Sequence, residues 1–196
     1  MYLYGASGHA KVILEILESI GIEINGLFDD NEKITELLGY KCNKPDIELI
    51  NCSELLISIG DNKTRKKIAG NYSKAKYTKA IDITSKISKR SIIGNGTVIM
   101  PGVIVNSSCY IGNHIILNTK ASIDHDCIIE DFVHIGPGAT LCGGVKVHEG
   151  TFIGAGAVIL PGIKIGKWSI IGAGSIVNRN IPDHQTWVGN PAKRLK

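Results

Sequence analysis

No CxxC pair joins the five cysteines, Cys42, Cys52, Cys109, Cys127 and Cys142, and their number is odd. That excludes zinc-finger spacing and points to reduced, structural thiols in a cytoplasmic protein. No block of five or six like charges occurs. The densest cluster, TRKK at Thr64–Lys67, reads as a solvated helix face rather than a nucleic-acid site, and the formal net charge is only +4. No apolar run approaches the ~18–20 residues of a membrane span. MYLYGASGHA reaches a glycine turn too early for a signal peptide. Charged residues make up 20% of 196, enough to exclude global disorder at a length that builds one large domain or two small ones. The expectation is a cytoplasmic chain with no membrane span and no nucleic-acid partner.

What the second half has is a period of six. From Ile87 to Val177 every sixth residue is aliphatic, and the next residue is glycine at Gly94, Gly112, Gly136, Gly154, Gly166 and Gly172. Two places before each aliphatic the residue is small or β-branched, as at Thr97, Cys109, Ala121, Cys127, Ala139, Thr151, Ala157 and Ser175. Neither a strand period of two nor a helical 3.6 generates this phase. A parallel β-helix does, with three hexads making an 18-residue triangular coil and coils stacking at ~4.8 Å. Cys109 and Cys127, 18 residues apart, should then stack inside as small hydrophobes. The hexads carry no insertion, and so slender a prism is expected to self-associate symmetrically.

The first half reads differently. YLY, the turn GASGHA and AKVILEILESIG give strand, turn and helix, with Val12, Ile13, Ile16, Leu17 and Ile20 on one face and an end at Gly21. INGLF runs into Asp29 and Asp30, and ELLISIGDN is a third strand ending at Gly60 before a helix near Lys63. This is a Rossmann-like βαβαβ unit, whose ligands sit at the strands' carboxyl ends. GASGHA could hold phosphate on backbone N–H groups or be a tight βα turn, since it lacks the third glycine of the dinucleotide fingerprint. Asp29 and Asp30 could meet a ribose or cap a turn, and His9 could donate to phosphate or cap. The expected division is 1–80 for the α/β domain, 81–181 for the β-helix and 182–196 for a basic tail.

Polar groups stand out within the hexads in ASIDHDCIIEDFVHIG, residues 121–136. Zinc hydration would need three converging neutral histidines. His114, His125, His134 and His148 offer no pair 18 residues apart, so no metal is expected. His148 and His184 read as solvated surface. Gly143, 18 residues after His125, should stack directly above it, either to offer an N–H to an oxyanion or simply as a coil corner. His134 is half a coil from His125, on another side of the prism, and reads as a secondary contact or plain surface.

Taken together, YGASGHAKV, FDD, IGDNKTRKKI, NTKASIDHDC and the closing VGNPAKRL resemble, over essentially the whole chain, the bacterial nucleotide-sugar acetyltransferases with a left-handed β-helix. These include the UDP-4-amino-sugar N-acetyltransferases of bacillosamine synthesis and the sialic acid O-acetyltransferases. The resemblance implies a homotrimer with acetyl-CoA bound between neighbouring β-helices and a catalytic pair at His125 and Asp126. Bacillosamine enzymes typically have Glu at the second place, so this carboxylate is one methylene shorter. It implies nucleotide-sugar contacts at Ser7, Gly8, His9, Asp29, Asp30, Gly60, Asn62 and Arg65, where Asp61 replaces an Asn of some relatives. CoA recognition would fall to His134, Gly143, Ala155, Gly156, Ala173 and Gly174, with Pro191, Lys193 and Arg194 of the tail either meeting its phosphates or only solubilising. A neutral histidine suits deprotonation of an amine attacking a thioester, and no serine or cysteine stands in an evident nucleophile arrangement. The favoured expectation is N-acetylation of a UDP-linked 4-amino-4,6-dideoxysugar. Alternatives are a GDP-4-amino sugar, O-acetylation of a sialic acid or related sugar, and a non-catalytic nucleotide-sugar-binding scaffold.

Overall fold

The structure is a computed structural model and describes residues 1–195; Lys196, the last residue of the tail, lies outside them. The first unit runs β1 (Tyr2–Tyr4), α1 (Gly8–Ser19), β2 (Gly26–Phe28), β3 (Glu36–Leu37), β4 (Tyr40–Asn43), α2 (Ile47–Cys52), β5 (Glu54–Ile57), α3 (Asn62–Asn71) and β6 (Lys76–Tyr77). Its sheet order is β3-β4-β2-β1-β5-β6, parallel except for the β3–β4 hairpin. The expected βαβαβ core is present; the hairpin, α2 and β6 are additions. Helix α1 ends at Ser19, two residues before the expected Gly21, and its buried face is Ala10, Ile13, Leu14, Ile16 and Leu17, while Ile20 turns outward. Asp46 and Asp61 cap α2 and α3, each accepting a backbone N–H in the first turn.

From Ala80 onward the chain is a solenoid of two-residue strands. Strands pair in parallel with those 18 residues away, as in Val98↔Ile116 and Ile99↔Leu117. The stack begins one hexad before Ile87, because Ala80–Ile81 pairs with Val98–Ile99. Among the described residues the solenoid forms sheets of eight, six and five strands, one per face. The hexad aliphatics from Ile99 to Val177 point inward and are at most 1% exposed. Each contributes about 1.5–3 kcal/mol by leaving water. The small positions share this interior. Cys109 and Cys127 are buried, and Thr97 and Thr151 donate their hydroxyls to the carbonyls of Gly112 and Gly166 at 3.0 and 2.6 Å.

Past Pro182 the chain does not leave the stack. The strand β24 (Thr186–Val188) lies parallel on Ile170–Ile171, and β25 (Lys193–Arg194) folds back antiparallel on β24. The two halves also pack together. Outward residues Val98, Met100 and Ile116 of one solenoid face join a cluster with Leu3, Ala10, Ile13 and Leu14. That face is apolar on both sides because the α/β unit covers it.

Candidate active site

His125 and Asp126 form one corner turn of the solenoid. Asp124 accepts the His125 backbone N–H at 2.8 Å and the Asn106 amide from the coil below at 2.9 Å, so it builds the turn. Asp126 sits at φ +60°, which swings its short carboxylate back to the ring, with Oδ2 2.8 Å from His125 Nδ1. Since a carboxylate can only accept, Nδ1 carries the proton and Nε2 keeps its lone pair. The Asp126 hydrogen bond, then the charge of Asp124, raises the pKa of this exposed imidazole above its ordinary value. One coil up, Gly143 lies against the ring. A Cβ there would fall 2.7 Å from Nε2 and Cε1, so glycine makes room for the histidine.

At the next corner the turns are bare. Gly138, Gly156 and Gly174 have φ between +63° and +66°, and a Cβ on any of them would meet nothing within 4 Å. Ala155, Gly156, Ala173 and Gly174 are exposed here. Just before this corner Asn118 stands at the foot of a column continued by Gly136, Gly154 and Gly172, where a Cβ would fall within 2.9 Å of the next coil's backbone or, at Gly172, 2.7 Å from the Val188 side chain, so glycine lets the stack close up. Pro191, Lys193 and Arg194 are exposed on the terminal hairpin.

The α/β unit presents its turns to the opposite edge of the covered face. Ser7 occupies the N-cap position of α1 without a side-chain capping bond, so its hydroxyl and the first turn remain open beside Gly8. His9 Nε2 is buried without a partner among the described residues, and burial, then the Arg65 charge, pushes this imidazole down to about 4. Asp29 and Asp30 serve the turn itself: Asp29 accepts the N–H groups of Ala6 and Asn31, and Asp30 accepts the Tyr4 hydroxyl. A cleft of about 370 Å³ opens between Gly60–Lys63 and Gly150, Phe152, Trp168 and Ile170.

Five expectations change. Arg65 is not free for substrate. It is 1% exposed, and its guanidinium donates to the carbonyls of Ile59, Gly60, His114 and Phe132 and to Asn62 Oδ1. Asn62 is likewise committed, with Nδ2 on the carbonyls of Gly150 and Thr151. TRKK is therefore no uniformly solvated face. Lys66 reaches the slot Gly150 leaves between Phe132 and Trp168, 5.9 and 5.3 Å from their ring centroids, and pairs with Glu149. His134 lies on another side of the prism from His125, as expected, but is not plain surface: it is 9% exposed between the two halves, with Nδ1 3.3 Å from Gly60 O and Nε2 3.1 Å from Asn118 Nδ2. His148 is not merely solvated, because its Nδ1 pairs with Glu130 at 2.9 Å. Sequence reasoning misses Asn118 and Lys66; the signal for Asn118 is its place 18, 36 and 54 residues below three glycines.

Among the described residues no group of three or more His, Cys, Asp or Glu side chains could hold a metal, and no helix is long and apolar enough to cross a membrane. Residues 1–72 match the PglD N-terminal domain family, and residues 144–179 match the bacterial transferase hexapeptide family. PerB from Caulobacter crescentus, solved with CoA and GDP-perosamine, is 34% identical with a TM-score of 0.94, over 100% of this chain and 96% of that one. The acetyltransferase domain of PglB from Neisseria gonorrhoeae, solved with acetyl coenzyme A, is 31% identical with a TM-score of 0.91, covering 99% and 98%. WeeI from Acinetobacter baumannii is 28% identical with a TM-score of 0.91, covering 99% and 98%. A curated relative, the uncharacterized protein L142 of Acanthamoeba polyphaga mimivirus, is 32% identical over 104 residues, 50% of this chain and 21% of that protein. The chain thus spans about a fifth of that relative's length. With its α/β unit, its hexad solenoid and matches over nearly the full length of PerB and of the PglB acetyltransferase domain, the chain belongs to the PglD-type sugar acetyltransferases with a left-handed β-helix.

Proposed function

We propose that the protein transfers acetyl from acetyl-CoA to the 4-amino group of a nucleotide-linked 4-amino-4,6-dideoxysugar, with His125 as general base. The observation that carries this is the imidazole held at Nδ1 by Asp126, with Nε2 open beneath a glycine. The amine nitrogen attacks the thioester carbonyl while Nε2 takes its proton. The tetrahedral intermediate then expels the CoA thiolate, which recovers that proton, leaving an amide and CoA. Asp126 stabilises the imidazolium between these steps. The Gly143 N–H is the candidate donor to the oxyanion.

The nucleotide sugar would lie along Ser7, Gly8, His9 and Gly60 and in the adjoining cleft, where the uncapped α1 terminus and the unpartnered His9 Nε2 suit phosphate and hydroxyl oxygens. CoA would lie along the bare glycine corner, with Lys193 and Arg194 near its phosphates. The α/β unit covers the face and corner away from His125, so one chain alone keeps the base apart from the sugar site. A homotrimer would bring a neighbour's His125 corner to it, and Ile92, Tyr110 and Ile128, exposed on a face flanking that corner, suit such packing.

A UDP-linked acceptor is the first reading. A GDP-linked one is the second, favoured by the GDP-perosamine bound to PerB. CoA thiol release with UDP- and GDP-linked amino sugars and with sialic acids separates these. One 4-amino nucleotide sugar should be turned over, and His125→Ala should lose about a thousandfold of that rate. Wild-type turnover by His125→Ala would remove the base from the mechanism, and nucleotide binding without thiol release would favour the scaffold.

A further inference from the structure

The small interior residues of the hexads have a second task at the corners. Where such a residue carries a donor, it caps a carbonyl fifteen residues on. Thr97 caps Gly112, Cys109 caps Asp124, Cys127 caps Cys142 and Thr151 caps Gly166. Cys127 is fully buried, and its sulfur lies 3.3 Å from Cys142 O. A thiol enclosed by apolar groups keeps its proton and so remains a donor. It is the one hydrogen-bond partner of that carbonyl among the described residues.

The carbonyl matters because of what is joined to it. The Cys142–Gly143 peptide is trans, so with its C=O turned in to the thiol its N–H points outward at the corner. That Gly143 N–H has no acceptor among the described residues, and it opens beside the His125 ring, which a Gly143 Cβ would meet at 2.7 Å. The neighbours in its column offer nothing similar. One coil below, Asp124 Oδ1 takes the His125 N–H; one coil above stands Pro161, which has none. Glycine at 143 makes room for the ring but also loosens the backbone. Without a Cβ, rotation on either side of the Cys142–Gly143 peptide can turn it over at little steric cost. A turned peptide would present the Cys142 oxygen where an oxyanion has to form. The next peptide is pinned at both ends, because Gly143 O accepts the Gly162 N–H and the Gly144 N–H meets His125 O.

We propose that Cys127 is a positioning residue for the acetyl transfer: its thiol holds the Cys142 carbonyl inward and thereby keeps the Gly143 N–H turned outward, toward the oxyanion that forms beside His125. Cys127 touches no substrate and acts through the peptide alone. The catalytic side of this inference rests on the function proposed above. The orientation of the peptide is a property of the fold and can be read without turnover.

The test compares two variants of the full chain. Cys127→Ala removes the donor, and Cys127→Ser keeps one, as Thr97 and Thr151 do in their own coils. With acetyl-CoA and the amino sugar that the native chain turns over, Cys127→Ala should lower kcat about tenfold. The KM for acetyl-CoA should stay within about twofold, and the acid limb of the rate profile should not move, because the base is untouched. Cys127→Ser should bring kcat back to within about threefold of native. A crystal structure of Cys127→Ala should show the Cys142–Gly143 peptide turned over in part or all of the molecules. If Cys127→Ala does not fold, Cys127→Val and Cys127→Thr, alike in shape, repeat the comparison without and with a donor. Native kcat in the variant lacking the donor, an equal loss in the one that keeps it, or a Cys142 carbonyl still wholly inward without the donor would overturn the proposal. A native chain that releases no thiol with any acceptor would instead sink the function, and the crystal structure would still decide the peptide's orientation.

Discussion

His125 and His134 stand nine residues apart on one rigid stack and have opposite surroundings. His125 is exposed at a corner, leans on a carboxylate and holds its proton more tightly than a free imidazole. His134 is wedged between the two halves near Arg65, with no carboxylate among the described residues in hydrogen-bond reach, and burial pushes it down to about 4. Their stations are set by the coil: half a turn of the prism separates a corner turn from a strand on the covered face. The solenoid makes neighbours of residues 18 apart and strangers of residues nine apart. One histidine is thereby suited to move a proton and the other to stay neutral and hold a direction.

The sharpest way to break this contrast is Gly143→Ala. The added Cβ would fall 2.7 Å from Nε2, so the ring must leave its place while the coil below stays intact. Turnover should fall by about a hundredfold with little change in melting temperature. Unchanged turnover would show that the ring's present position is not the working one. Next is Asp126→Asn, which removes the group that most raises His125's pKa. Because the base form grows as pH rises through that pKa, the acid limb of the rate profile should move to lower pH, and the maximal rate should fall by about tenfold. An unmoved limb would separate the limb from His125.

The smallest effect sharpens the comparison from the other side. His114 and His134 are both pushed down to about 4, chiefly by burial, against 6.5 for a free ring. Between those values the unfolded chain binds protons that the folded chain refuses. Stability should therefore be complete above about pH 6.5, decline as pH falls toward 4 and level off below, by on the order of 2–3 kcal/mol for each histidine. His125, raised rather than lowered, works in the opposite sense. Urea titrations between pH 4 and 8 measure the slope, and a flat profile would mean that these rings are not held neutral.

The solenoid was legible because an inward aliphatic every six residues has no competing explanation, and the Gly143–His125 stacking came from counting alone. The α/β unit was legible only in outline. The strands β3 and β6 are two residues long, too short for any period to mark them, and the β3–β4 hairpin turns on Leu38 and Gly39 at positive φ without a typical turn pair. Arg65 is hidden in the sequence for a different reason. A run of charge says nothing of phase, and phase decides burial: Asn62, Arg65, Ile68 and Ala69 fall on the buried side of α3. A basic residue in step with Ile68 is the mark of a guanidinium spent on carbonyls. Asn118 escapes notice because its contact with His134, 3.1 Å from Nδ2 to Nε2, runs directly between successive coils and joins residues sixteen apart, off the 18-residue count.

The uninterrupted hexads also make the chain a counter. Removing 18 residues between Ile99 and Val177 would lower everything above by one coil, about 4.8 Å, and keep each side chain on its own face. Removing six would preserve every inward aliphatic and yet turn the rest of the stack by a third of a revolution, carrying later corners to the wrong edge. Burial cannot tell these two deletions apart, but the sites can. Height along the prism and bearing around it are thus separate coordinates written in one number, and the folding core reads that number only modulo six.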